Sequence, residues 1–63
     1  MDLKRVNNKK INVTDIDDQV FTGLAIYENK EDFETQYDGI SIKTSEGWIK
    51  IFENEIKAIK VLN

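Results

Sequence analysis

From Lys9 to Thr14, apolar Ile11 and Val13 alternate with polar neighbours, the period-two pattern of a strand with one buried face. Asp15 to Gln19 then reads as a turn, because aspartates hydrogen-bond their own backbone and tolerate unusual dihedrals. Gln19 to Glu28 is rich in strand formers (Val20, Phe21, Thr22, Leu24, Ile26, Tyr27), with Gly23 in its middle marking the expected site of a sharp bend. Asn29 to Tyr37 has no clean period and reads as a long acidic loop. Beyond Asp38-Gly39, Ile40 and Ile42 alternate with Ser41 and Lys43, Ser45-Glu46-Gly47 makes a hairpin connection, and Trp48 to Phe52 forms the next strand. Glu53-Asn54-Glu55 breaks the alternation as a short 3-10 turn, and Ile56 to Leu62 supplies a last strand.

A helix competes for the final third. Ile49, Phe52, Ile56 and Ile59 also fall at helical spacing behind a capping Ser45. The β-branched residues Ile49, Ile51, Ile56, Ile59 and Val61, with the Glu46-Gly47 turn, favour strands. The predicted fold is therefore all-β: a small, strongly bent five-stranded SH3-like barrel over residues 9–63. Residues 1–8 precede it as an arm or a short helix.

Length changes the picture by limiting the core. A chain of 63 residues buries only about 60% of the surface its unfolded form exposes. It contains neither Cys nor His, so disulfides and the usual zinc ligand sets are excluded. Close packing or self-association must make up the difference. No apolar run reaches membrane-spanning length, and Met1 to Asn8 lacks a signal core, so a cytoplasmic location is expected.

Formal net charge is −3, unevenly spread. Lys4, Arg5, Lys9 and Lys10 oppose only Asp2 in the first ten residues. Asp15, Asp17, Asp18, Glu28, Glu31, Asp32, Glu34 and Asp38 oppose only Lys30 between positions 15 and 38. A polyanion is repelled from that middle block, which disfavours nucleic acid there.

The stretch from Lys9 through Gly23, with its alternating apolar residues, acidic turn, aromatic residue and glycine two positions on, resembles the first motif of Sm-like proteins. It is most similar to the small, largely uncharacterised Sm-like proteins of Gram-positive bacteria, whose closing pattern appears here as Ile51-Phe-Glu-Asn-Glu-Ile-Lys-Ala-Ile59. The resemblance spans roughly residues 9–62 and implies an SH3-like barrel whose edge strands pair subunits into a dimer or ring. Family members that bind RNA carry an Asp and an Asn after the second strand and an Arg-Gly near the fourth. This chain has Tyr27-Glu28-Asn29-Lys30 and Ile49-Lys50-Ile51-Phe52 there, so those RNA-contacting residues do not carry over.

Catalytic constellations are missing. Ser41 and Ser45 have no His or Cys partner, and Gly23, Gly39 and Gly47 are isolated, so neither a nucleophilic triad nor a phosphate loop is present. Asp15-x-Asp17-Asp18 fails the calcium-loop pattern, because the glycine position falls on Val20 and the closing glutamate on Ile26. The expectation is a chain that is not an enzyme and has no metal, cofactor or small-molecule substrate.

Candidate contact residues group in three places. Phe33 and Tyr37 stand among Glu31, Asp32 and Glu34, either plugging an open barrel end or anchoring a basic protein partner. Trp48 and Phe52 share one side of their strand, exposed for contact or buried by bending. Ala58, Lys60 and Leu62 mark the last strand as an edge for subunit pairing. Lys4, Arg5, Lys43, Lys50 and Lys57 are the candidates if the ligand is nucleic acid. The leading expectation is a non-catalytic interaction module, binding a protein or itself. The alternatives are an Sm-like RNA-binding protein and an acidic inhibitor of a nucleic-acid-binding protein.

Overall fold

Two short ladders meet on one long strand in the computed structural model, which describes residues 2–62. Strand β1 (Lys9–Asp15) pairs antiparallel with β2 (Val20–Glu28) from Lys9↔Ala25 to Thr14↔Val20. Strand β3 (Gly39–Thr44) pairs with β2 from Leu24↔Lys43 to Glu28↔Gly39. The first half of β2 therefore serves β1 and the second half serves β3, with only Leu24 and Ala25 paired on both sides. Gly23 stands beside that changeover. A Cβ placed on it would lie 1.9 Å from the Lys43 carbonyl oxygen, so the close passage of β3 requires a residue without one.

Strand β4 (Gly47–Phe52) returns along β3 from Thr44↔Gly47 to Gly39↔Phe52. The connection turns through Ser45 and Glu46 and closes on Gly47 at φ +116°, which an L side chain rarely adopts. A 3-10 turn, Glu53–Glu55, then reverses the chain into β5 (Ile56–Val61), which pairs with β1 across a bulge at Thr14/Asp15. The Glu55 carboxylate accepts the Phe52 N–H at 3.1 Å and holds this reversal. Strand order is β4-β3-β2-β1-β5, one coiled antiparallel sheet in which β4 and β5 are the edges. The chain is thus an all-β, barrel-like fold, and the helix considered from Ser45 onward is replaced by a hairpin and an edge strand.

Ile11, Val13, Ala25, Ile40, Ile42, Ile51 and Ile56 form the core from the inner faces of all five strands. Phe21, Tyr27, Ile49, Ile59 and Val61 pack around it. Two further members come from the N-terminus. A 3-10 helix, Leu3–Val6, is capped by Asp2 and buries Leu3 (2% exposed) and Val6 (0%) against the inner sheet. It is tied to β2 by the Tyr27 N–H donating to Asn7 Oδ1 at 2.8 Å and the Asn8 N–H donating to the Ala25 carbonyl at 2.7 Å. Asn8 makes the turn into β1 at φ +62°, in the left-handed region that Asn tolerates. Residues 1–8 were expected as an arm or short helix; Leu3 and Val6 are part of the core.

Candidate functional site

The loop between β2 and β3 is held at both ends. At its base the Lys30 N–H donates to Asp38 Oδ1 at 2.8 Å, and the Asp38 carbonyl accepts the Glu53 N–H at 2.8 Å. Within it, Asn29 Oδ1 accepts the Glu31 N–H, the Lys30 carbonyl accepts the Thr35 N–H, and the Thr35 hydroxyl donates to the Tyr37 carbonyl. Glu34 turns the chain at φ +53°. These bonds give a long acidic segment a fixed path.

That path carries Phe33 and Tyr37 outside the core. Phe33 is 53% exposed and Tyr37 38%, so neither ring plugs the barrel, and Glu31, Asp32 and Glu34 beside them are exposed as well. Phe33 lies against β4, where Trp48, Lys50 and Phe52 follow one another on the outer side. The Lys50 ammonium sits 4.8 Å from the centroid of the Phe33 ring and 5.0 Å from that of Phe52, a double cation–π contact. It also stands 2.7 Å from Glu28 Oε1, an oxygen with no other partner and out of line for a hydrogen bond to Lys50. Lys50 therefore fastens the loop to the sheet and neutralises a carboxylate at the end of β2.

A shallow cleft of about 660 Å³ opens beside this contact, lined by Thr35, Gln36, Tyr37, Lys50, Phe52, Asn54 and Glu55. Trp48 stands at the other end of the β4 row, 57% exposed, while Phe52 is half-buried. The open reading of Trp48 is the one realised.

Electrostatics tie the loop base to the core. Desolvation pushes the Tyr27 hydroxyl above its usual range, and the neighbouring Asp38 carboxylate adds to the effect. The Asp38 carboxyl is held below its ordinary range chiefly by the backbone N–H of Lys30, which outweighs the cost of burial, with a lesser contribution from Tyr27.

The cationic residues named for nucleic acid lie on several elements. Lys50 pairs with Glu28, and Lys57 pairs with Asp18 of the β1–β2 turn. Lys4 and Arg5 are exposed on the N-terminal 3-10 helix, and Lys43 lies on the outer side of β3. These candidates sit on four elements and two of them are in ion pairs, while Lys43 stands beside Trp48 on the outer face of the sheet. In the β1–β2 turn, Asp15 Oδ1 accepts the N–H groups of Asp17 and Gln19, both at 2.9 Å, so this aspartate shapes a turn.

Ala58, Lys60 and Leu62 project from the outer side of the edge strand and are exposed. The Leu62 N–H donates to the Lys10 carbonyl at 2.9 Å. With the observed register, the main-chain groups of Ile59 and Val61 therefore point away from β1, toward the unpaired side. The other edge, β4, borders a small cleft of about 180 Å³ with Ile16, Phe21, Ile49, Asp15, Asp17 and Glu55 in its lining.

Glu28, Leu24 and Lys10 belong to this outer surface and were not among the residues expected there. Alternation assigns Leu24 and Lys10 to the outer side, but only the register places them in line with Lys43 and Trp48. Among family models, curated proteins and solved structures, none matches this chain.

Proposed function

We propose that this chain is a non-catalytic interaction module whose contact surface is the acidic loop together with the outer row of β4. The carrying observation is the pinned loop: Phe33 and Tyr37 stay exposed on a hydrogen-bonded scaffold, with Glu31, Asp32 and Glu34 around them. Rigid aromatic anchors lose little entropy on binding, and flanking acids select a basic partner. The pairing of Lys50 with Glu28 and of Lys57 with Asp18 weighs against an extended nucleic-acid track. The five-strand order and the 3-10 turn before β5 support the resemblance to Sm-like proteins, from which RNA binding does not follow for this sequence.

The test is an amide-resolved NMR titration with two ligands, a lysine-rich peptide carrying apolar residues and a uridine-rich RNA oligomer. The peptide is expected to shift Phe33, Tyr37, Lys50 and Phe52. Salt-sensitive shifts caused by the RNA at Lys4, Arg5 and Lys43, with none from the peptide, would overturn the reading.

Self-association through the sheet edges is a second reading. It is favoured by the outward main-chain groups of Ile59 and Val61 and by the exposed Ala58, Lys60 and Leu62 beside them. Val61→Pro removes one outward N–H without touching a bond to β1, and light scattering reads whether an oligomer is lost.

A further inference from the structure

The outer face carries two ends of opposite character. At one end, register aligns Trp48, Lys43, Leu24 and Lys10 as successive cross-strand neighbours on β4, β3, β2 and β1. All four are exposed, Trp48 by 57% and Leu24 by 37%. Lys43 and Lys10 flank Leu24, and neither has an ion-pair partner among the described residues. At the other end lies the acidic loop, with Phe33 and Tyr37 exposed beside Glu31, Asp32 and Glu34. Lys50 sits between them on the β4 row with Glu28 against it, so the change of sign occurs there.

We infer that the partner for this face is a second copy of the chain, docked about a two-fold axis near Lys50. The acidic loop of each copy then covers the Trp48–Lys43–Leu24–Lys10 row of the other. This rests on the reading of the loop as a contact surface and names its partner. A face that holds both a basic apolar end and an acidic aromatic end is complementary to itself when turned through half a revolution, and the symmetry makes every contact twice. The lysines meet Glu31 and Asp32, and Trp48 and Leu24 meet the rings of Phe33 and Tyr37, so charge and apolar area are matched together. A domain with so small a core gains from burying these exposed apolar side chains.

The chain has one tryptophan, and it lies in the interface. Sedimentation equilibrium at low and high salt, read together with Trp48 emission, tests the arrangement. A concentration-dependent dimer is expected at low salt, with a blue shift of Trp48, and both are lost at high salt. The double variants E31K/D32K and K10E/K43E, at positions that are all exposed, are each expected to dimerise on the order of tenfold more weakly. Mixed in equal amounts, the two variants are expected to recover the dimer, because each supplies the charge the other now needs.

A protein that stays monomeric at low salt overturns the inference. So does a dimer that both variants form as well as the parent, which would assign it to the sheet edges. In either case, peptide-induced shifts at Phe33 and Tyr37 would leave the loop as a contact surface for another protein. Their absence would remove that reading too.

Discussion

Lys30 and Asp38 are joined across the base of the acidic loop, the backbone N–H of Lys30 donating to Asp38 Oδ1 at 2.8 Å. This bond is the largest reason that the Asp38 carboxyl lies below its ordinary value of 3.8. A depressed folded-state pKa contributes stability above the unfolded value, which is lost as pH falls through the folded one. The loop is therefore expected to keep its closed form from neutral pH down to about pH 4 and to open below that. Hydrogen exchange at the Lys30 amide, compared at matched intrinsic rates, measures it. Asp38→Ala is expected to remove the protection at every pH. Asp38→Asn keeps an acceptor oxygen and is expected to retain part of it without the acid-dependent loss.

Gly23 and Gly47 fail differently when given a side chain. At Gly23 an added Cβ meets the Lys43 carbonyl at 1.9 Å, so β2 and β3 must separate where one strand serves two ladders. Gly23→Ala is expected to cost about 3–4 kcal/mol, a large share of the roughly 3–9 kcal/mol available to a chain of this length. Gly47 has open space around its Cβ position and only its φ of +116° to resist substitution. Gly47→Ala is expected to cost roughly 1–2 kcal/mol. Urea unfolding of the two variants gives the comparison, and equal losses would contradict the bend assigned to Gly23.

The N-terminal 3-10 helix is expected to unfold with the barrel, not before it, because Leu3 and Val6 are core residues. Leu3→Ala should cost about 2–3 kcal/mol in a single cooperative transition. Lys4→Ala on the exposed side of the same turn should cost less than about 0.5 kcal/mol. Thermal melts followed by circular dichroism separate these outcomes.

Strands and turns were legible because β1, β3 and β4 alternate, β2 and β5 are rich in strand formers, and each break has its own chemistry. Ile11 and Val13, Ile40 and Ile42, and the Glu53-Asn54-Glu55 interruption all sit where the pattern puts them. Gly23 was legible because glycine among strand formers marks a bulge, a sharp bend or a close backbone approach, and here the Lys43 carbonyl passes directly over it. Leu3 and Val6 were not, since two apolar residues three apart in the otherwise polar stretch from Asp2 to Asn8 show too little period to signal a buried face. The surface was the least legible part. Glu28 and Lys50 are 22 positions apart in sequence, as are few pairs a local pattern can connect, and only the β2–β3–β4 register brings them together. The same holds for the Lys57–Asp18 pair, which engages one of the lysines named for nucleic acid.

The Lys50–Glu28 pair yields the most discriminating variant set. Glu28 Oε1 is buried and has no partner except the Lys50 ammonium at 2.7 Å. Removing the lysine alone leaves that carboxylate uncompensated, so Lys50→Met is expected to cost about 1–3 kcal/mol. Removing both charges restores most of this, and the double variant Lys50→Met/Glu28→Gln is expected to be more stable than Lys50→Met alone. The two roles of Lys50 also separate in this set. The contacts with Phe33 and Phe52 require a cation. The double variant should therefore recover stability while the Phe33 ring stays loosened from β4, seen as faster hydrogen exchange across 31–35. If the double variant is as unstable as Lys50→Met, the lysine acts through its packing stem and the ring contacts, and charge compensation of Glu28 is not its role.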